Sequence, residues 1–205
     1  MDIAHTENTN IRSYIKEEKR MPHVYESCPT FTSGTLTLRL IEPGDTEDLL
    51  QVYSDPGNVP YFNGDNCHGD TFYYPTMERM QQAVDFWVYS YRHGYFVRWS
   101  VVERQTVIGT VECFYRGPSD ALGDSALLRI DLRRDRDTPR INGAILDMLL
   151  PQLKSLFGGH IAVIKAPVIA ASRIAALTER GFTLSGEKLV GEGGETYGDY
   201  WIRAL

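Results

Sequence analysis

Three consecutive apolar segments in the middle of the chain constrain its fold more than any other feature. YFVRWSVVE (95–103) and TVIGTVECFYR (106–116) are separated by a two-residue turn and predict an antiparallel hairpin. ALLRIDL (126–132) then predicts a buried strand. Helical and strand-like patterns alternate on both sides of these segments. Because a sheet buries its apolar surface against another layer, we expect a mixed α/β (α+β) sheet flanked by helices.

The remaining segments complete the order β-α-α-β-β-β-α-β-α-β-β. The pattern predicts strands at 35–43 and 158–168, helices at 46–54, 76–93 and 171–180, a longer helix that ends at 157, and a closing strand pair at 182–190 and 195–205. Pro151 should kink or split the long helix, because proline lacks a backbone N–H. We interpret 35–205 as one domain, and 1–34 as an N-terminal extension with a short helix over 11–20.

Charge and cysteine content narrow the possible function. Twenty-one basic and 27 acidic residues give a net charge of −6, which disfavours binding to nucleic acids or anionic membranes. Cys28, Cys67 and Cys113 are far apart and form no disulfide framework or zinc-binding spacing. No apolar stretch reaches the ~18–20 residues that a membrane span needs. We therefore expect a cytoplasmic protein that binds neither nucleic acid nor membrane.

An arginine-rich segment, RRDRDTPRINGAIL (133–146), joins the third strand to the long helix. The N–H groups at the start of a helix can hold a phosphate, and small residues let the backbone approach it. The segment therefore has two interpretations. It forms a diphosphate site, or it is a solvated charged loop in which Asp135 and Asp137 neutralise part of the positive charge.

Three further segments carry a family resemblance. TLTLRLIEPGDTEDLLQVYSD, WSVVERQTVIGTVECF with its Gly109, and ASRIAALTERGF occur in this order and resemble the GNAT superfamily of N-acyltransferases. They are most similar to the branch that acetylates ribosomal-protein N-termini and related amines. The resemblance covers 35–205. It implies a GNAT-like fold and direct transfer of an acetyl group, in a ternary complex, from acetyl-CoA to a primary amine of a small molecule or peptide. A homodimer is a further expectation of this kind.

The acyl-CoA motif of that family is only partly matched. The motif is Gln or Arg, two residues, Gly, one residue, then Gly or Ala. Arg140 and Gly143 match its first half, whereas Ile145 stands at the last small position. The resemblance implies that CoA is bound by Ile130, Asp131, Leu132, Arg133, Arg140, Asn142, Gly143 and Ala144.

Two other departures lie near the short late helix. The family often has an Asn just before this helix, where the chain has Ile169 or Ala170, and a Tyr within it, near Leu177. A catalytically degenerate GNAT-fold binding or sensor module is therefore the alternative function.

Acyl transfer to an amine needs a proton acceptor for the amine and a proton donor for the departing thiolate. Glu112 lies in an otherwise apolar strand. If it points inward, burial should raise its pKa and suit it to act as a base; if outward, it is a surface acid. Asp131 more readily forms a structural ion pair with the adjacent Arg129. Tyr197 is the candidate proton donor, with Tyr200 as a second choice, and packing roles are open for both.

The segment PGNVPYFNGDNCHGDTFYYP (56–75) combines turn residues with aromatic and acidic ones. Such a long loop is often functional, and in the family this region shapes the acceptor pocket. We predict that the pocket is lined by Tyr61, Phe62, Asp65, Tyr73 and Tyr74, with Trp99 and Arg98 as its floor. Acidic and aromatic groups suit a cationic amine. Asp65, Cys67, His68 and Asp70 match no strong metal-ligand spacing, so we expect no metal.

Overall fold

A computed structural model describes residues 23–62, 64, 65, 67, 69–191 and 193–205. Eight strands form one sheet in the order β1-β2-β3-β4-β5-β6-β10-β7, and β8 and β9 form a separate pair. The strands are β1 (Phe31–Ser33), β2 (Leu36–Leu40), β3 (Val97–Glu103), β4 (Thr106–Arg116), β5 (Ser125–Leu132), β6 (Ile161–Lys165), β7 (Thr183–Leu184), β8 (Leu189–Val190), β9 (Thr196–Tyr197) and β10 (Tyr200–Ala204). The helices are α1 (Thr46–Tyr53), α2 (Met77–Arg92), α3 (Pro139–Phe157) and α4 (Ala171–Glu179).

One pair of neighbouring strands in this sheet is parallel. β5 and β6 are joined through α3 and pair from Ser125–Ile161 to Leu128–Ile164. Residues 129–132 of β5 continue beyond this ladder, so the two strands part there. All other neighbouring strands of the sheet are antiparallel. The predicted mixed, mostly antiparallel α/β sheet is therefore confirmed.

Strand alternation divides the side chains between two helical layers. One face of the central strands packs with α3 and α4 and includes Trp99, Val111 and Ile130. The other face packs with α1 and α2, where Trp87 and Tyr53 are fully buried or nearly so. Thr76 and Thr138 accept hydrogen bonds from the first turns of α2 and α3 and so cap both helices.

The structure differs from three sequence predictions. α3 continues through Pro151, because Leu149 and Leu153 are fully buried and hold the helix on the sheet despite the lost backbone donor. The closing segments 182–190 and 195–205 pair with each other as predicted, but in two separate pieces, β7 with β10 and β8 with β9. Finally, β1 pairs with β2 and Val24 is buried in the core. The predicted boundary at residue 35 therefore cuts through packed structure.

Two further sequence predictions concern the N-terminal segment and membrane-spanning helices. The helix predicted over 11–20 lies outside the described residues. None of the helices in the described part of the chain is long and apolar enough to cross a membrane.

Candidate functional site

A cavity of about 580 Å³ lies between α2 and the face of β3, β4 and β5 that this helix covers. This volume is in the range of small-molecule sites, roughly 300–1,000 Å³. Its aromatic lining residues are Phe72, Tyr74, Phe86, Trp87, Phe96, Phe114 and Tyr200. Its charged lining residues are Asp65, Asp70, Arg79, Arg98, Glu112, Arg116 and Arg129.

A row of three charged residues crosses the sheet at the base of this cavity. Arg98 on β3 is opposite Glu112 on β4, which is opposite Arg129 on β5. Alternation along each strand turns all three toward α2. Their relative exposure is 0%, 4% and 8%, so the charges are held in a largely desolvated place.

Arg98 is the centre of a buried polar network. It donates a short hydrogen bond to Glu112, and its Nη1 lies 2.9 Å from Thr110 Oγ1 and 3.4 Å from Asp131 Oδ2. Tyr53 donates to the same Asp131 oxygen at 2.9 Å. The guanidinium also stacks 4.0 Å from the centre of the Trp87 ring. Asp131 is thus a structural partner, as predicted, but of Arg98 rather than of its neighbour Arg129.

Glu112 points inward, yet its pKa is lowered rather than raised. Burial alone would raise the pKa of this carboxyl, but attraction to Arg129 and Arg98 outweighs burial. The expectation of a base with a raised pKa is therefore wrong. The burial of Glu112 could be expected from its strand, whereas the two arginines on either side of it are placed there by the strand register. Glu112 is an ionised carboxylate that positions both of them.

Two acidic residues of the 56–75 loop have cationic partners: Asp65, which was predicted to line the acceptor pocket, and Asp70. Asp65 accepts from Lys165 Nζ at 2.7 Å and from the Tyr200 hydroxyl at 2.6 Å. Asp70 accepts from Arg79 at 3.1 Å. Each carboxylate therefore already has a cationic neighbour, so a cationic amine would compete with Lys165 or Arg79 for it. Within the described residues no cluster of three or more His, Cys, Asp or Glu could hold a metal, and His68 lies outside them.

The predicted pocket residues are divided among several places. Asp65 and Tyr74 line the cavity. Phe62 is buried beside Tyr53, with ring centres 5.1 Å apart, and Tyr73 is 40% exposed. Tyr61 lies in a separate, smaller cleft.

Trp99 is not the floor of the pocket. Alternation on β3 turns it to the α3 side, where its Nε1 donates to the Pro29 carbonyl at 3.0 Å and its ring packs edge-on to Phe157. Arg98 takes the predicted place. Of the two candidate tyrosines, Tyr200 lines the cavity, whereas Tyr197 packs against an adjacent apolar cluster.

The smaller cleft, of about 130 Å³, lies between the end of β5 and the start of α4. The Arg133 amide donates to Ile108 O on β4 at 2.9 Å. Because main-chain groups alternate along a strand, those of Ile130 and Leu132 face away from β4, toward the gap left by β6. Leu132 also lines the cleft, together with Ala170.

The arginines of the arginine-rich segment are paired with nearby carboxylates. Arg133 pairs with Asp135 at 2.6 Å, while Arg136 and Arg140 pair with Glu103 at 3.3 and 3.2 Å. At the start of α3, Pro139 lacks an N–H and Thr138 caps the Ile141 amide at 3.3 Å. The main-chain donors at the start of α3 are therefore partly used, whereas the side chains of Arg134 and Arg140 stay 64% and 67% exposed.

The remaining predicted CoA residues lie on the first turns of α3. Asn142 is fully buried and donates to Asp137 and to the Thr138 carbonyl. A Cβ at Gly143 would lie 2.6 Å from Arg180 Nη2, so this glycine makes room for an arginine side chain of the next helix. Ala144 packs against the core.

Three residues of this site were not predicted from the sequence. Arg129 was expected only as a partner of Asp131, and no functional role was predicted for Trp87 or Tyr53. The period-two pattern of LLRIDL contains a usable signal, since it places Arg129 and Asp131 on one face of β5. Nothing local in the sequence indicates Tyr53.

A mixed sheet whose parallel strands part beside a cavity defines a class of fold. It is the GNAT acetyltransferase fold, as the sequence resemblance predicted. Among solved structures, RimL, a ribosomal L7/L12 α-N-protein acetyltransferase in complex with coenzyme A, matches with a TM-score of 0.66 at 17% identity, over 86% of this chain and 98% of that one. RimJ from Mycobacterium smegmatis in complex with CoA-disulfide matches at 0.65 and 16%, over 86% and 85%.

A third solved structure has a similar fold. It is the acetyltransferase from Salmonella typhimurium that modifies the N-terminal serine of ribosomal protein L7/L12, with a TM-score of 0.64 at 17% identity, over 86% and 99% of the two chains. No protein-family model and no curated protein matches the sequence. At these identities the likeness establishes the fold.

Proposed function

We propose that this protein is an acetyl-CoA-dependent N-acetyltransferase whose acceptor is a primary amine bound in the 580 Å³ cavity. One observation carries the proposal. Arg129, in the cavity wall, is the first residue of β5 beyond the β5–β6 ladder. An amine in the cavity therefore lies next to the gap between the two strands. RimL and RimJ, which share the fold, are acetyltransferases crystallised with CoA or its disulfide.

The residues around the gap fit the central part of acetyl-CoA better than its diphosphate. The main-chain groups of Ile130 and Leu132 are turned toward the gap and can hydrogen-bond the pantetheine amides. The diphosphate would lie at the start of α3, where Arg133 and Arg140 must exchange Asp135 and Glu103 for phosphate oxygens. Acetyl-CoA supplies the electrophilic thioester carbonyl.

The transfer itself needs no further reactant. The amine nitrogen forms a bond to the acetyl carbon, the carbon–sulfur bond breaks, and CoA leaves as a thiol. The acceptor enters as an ammonium ion, so one proton is released to solvent. A carboxylate between two guanidinium groups is a weak proton acceptor, so Glu112 is not assigned the role of base. Its role in this reaction is to hold Arg98 and Arg129 in place. Tyr200 and Tyr197 stay the candidates for protonating the sulfur.

Two measurements test this function. Calorimetry with acetyl-CoA should show binding, and a thiol assay with a panel of primary amines should show CoA release. The double variant Arg140→Ala/Gly143→Trp should lose CoA binding, whereas Asp85→Asn, which alters an exposed acid on α2, should keep it. Absence of binding at millimolar acetyl-CoA would refute the proposal. CoA binding that survives in the double variant would place the diphosphate elsewhere.

A second candidate is a GNAT-fold binding or sensor module without acyl transfer. The observation that favours it is that Arg133 and Arg140 already pair with Asp135 and with Glu103 of β3, while Thr138 caps the first turn of α3. Such a module would bind the cavity ligand with no release of thiol from acetyl-CoA. CoA release with any amine of the panel decides against it.

A further inference from the structure

The wall of the cavity contains an arginine with unused hydrogen-bonding capacity. Arg129 is 8% exposed, and its Nη1 lies 3.5 Å from Glu112 Oε1. Its Nη2 donates to Cys67 Sγ at 3.4 Å, and its Nε has no hydrogen-bond partner among the described residues. Sulfur is a weak acceptor, and buried donors without good acceptors are costly. The guanidinium is therefore suited to donate hydrogen bonds to an acceptor group of a ligand.

The other cations around the cavity have stronger acceptors. Arg98 also has an Nε without a hydrogen-bond partner among the described residues, but both of its Nη atoms donate to oxygen atoms. Arg98 has the short bond to Glu112 and the contact with Asp131. The two remaining arginines of the lining, Arg79 and Arg116, pair with Asp70 and Asp120. An anion that enters the cavity therefore gains most at Arg129. Its guanidinium is held in place by the Phe72 ring, 4.5 Å away.

We infer that the acceptor is an α-amino acid with an aromatic or large apolar side chain, whose carboxylate binds Arg129. This inference rests on the proposed function and names its substrate class. A guanidinium fork matches a carboxylate with two parallel hydrogen bonds.

The geometry of the cavity agrees with such a substrate. The amine and the carboxylate of an α-amino acid share one carbon, so an anchor at Arg129 holds the amine beside the gap between β5 and β6. Phe72, Trp87 and Phe96 offer an apolar surface to the side chain. The carboxylate remains intact in the reaction, which yields the N-acetyl amino acid, free CoA and one proton.

A matched set of acceptors tests the inference. L-Phenylalanine, L-phenylalaninamide and 2-phenylethylamine share the aromatic group and the amine, and the first alone has a carboxylate. CoA release with saturating acetyl-CoA should give a kcat/KM for phenylalanine at least roughly tenfold above those of the other two, as expected for a charge-assisted contact. Similar or higher values for the amide or the amine would overturn the inference.

Variants of Arg129 test whether this residue causes the preference for a substrate with a carboxylate. Arg129→Gln should abolish the ratio between acid and amide, and Arg129→Lys should retain part of it. Arg116→Gln, a cavity arginine with its own partner Asp120, should leave the ratio unchanged. A general loss of folding lowers all rates together, so the ratio within each variant reports the contact. A ratio that persists in Arg129→Gln would overturn the inference.

Two further arms separate the possible failures. Phenylalanyl-aspartyl amide carries its only carboxylate on a peptide side chain, and a preference for it over phenylalanine would overturn the α-amino-acid assignment. If no amine leads to release of CoA, the proposed function fails. Calorimetry then measures whether the cavity still binds phenylalanine and phenylethylamine. Binding of phenylalanine at least tenfold tighter than of phenylethylamine supports the Arg129 contact, whereas equal or absent binding overturns it.

Discussion

Glu112 on β4 and Arg129 on β5 lie directly opposite each other, with Oε1 and Nη1 3.5 Å apart. The other oxygen of the same carboxylate accepts a short hydrogen bond from Arg98. One carboxylate thus holds two buried cations at the base of the cavity. This relationship explains why the inward orientation of Glu112 does not make it a strong base.

Removal of this carboxylate should destabilise the fold. Glu112→Gln leaves two buried guanidinium groups without their shared anion, which we expect to cost about 3–5 kcal/mol of unfolding free energy. Urea unfolding followed by circular dichroism measures the loss. Asp85→Asn, at an exposed site, should shift the free energy by no more than ~0.5 kcal/mol. Equal effects of the two changes would contradict the buried network.

The same ion pairs make stability depend on pH. The pKa of Glu112 is lower in the folded protein than its ordinary value of 4.5. Its contribution is therefore fully present above about 4.5 and is lost as the pH falls through the lower folded value. We expect the stability difference between wild type and Glu112→Gln to be constant from pH 7 to 5.5 and to shrink below pH 4.5. Urea titrations at each pH test this, and a difference that grew on acidification would be inconsistent with it.

Glu103 should compete with CoA for arginine. Its carboxylate binds both Arg136 and Arg140. Glu103→Gln frees their guanidinium groups for a diphosphate, so we expect the Kd of CoA to fall by roughly tenfold, the value of one hydrogen bond to a charged group. Calorimetry at low and high salt measures this. Asp85→Asn removes the same charge from α2 and should leave the Kd unchanged. An unaltered Kd in Glu103→Gln would mean that these arginines do not contact the diphosphate.

We expect Trp99 to contribute to the stability of the fold and not to the binding of the acceptor amine. Its ring lies on the α3 side of the sheet and its Nε1 donates to Pro29. Trp99→Phe should therefore cost about 1–3 kcal/mol of stability and leave the acceptor KM unchanged. Trp87→Phe, in the cavity wall, should raise that KM. Steady-state kinetics together with urea unfolding separate the two effects, and a raised KM in Trp99→Phe alone would reverse the assignment.

Most of the secondary structure follows from the sequence, because it depends on neighbours along the chain. The prediction at 106–116 coincides with β4. The helix predicted at 46–54 is one residue longer than α1 at one end, and the helix predicted at 76–93 is one residue longer than α2 at each end. The helix is not split at Pro151, because contacts from outside the local sequence hold it together. The burial of Leu149 and Leu153 on the sheet outweighs the local cost of proline.

The site divides in the same way. Alternation within one strand reveals that Arg129 and Asp131 share a face, but it does not show which charges meet across strands. The register decides that Glu112 stands between two arginines and that Asp131 pairs with Arg98. Alternation along β3 already places Trp99 on the side opposite Arg98, so the sequence argued against both residues forming one floor. The pairing of Glu103 with Arg140 joins residues far apart in the chain.

By itself, the sequence determined the element order and the alternating sides of each strand, because both are set by short-range periodicity. The tertiary structure alone decided which carboxylates have cationic partners, where the cavity lies and which guanidinium in its wall has the weakest hydrogen-bond acceptors. Those properties depend on distances between segments that meet only after the sheet has assembled and excluded water, and no local pattern encodes such distances.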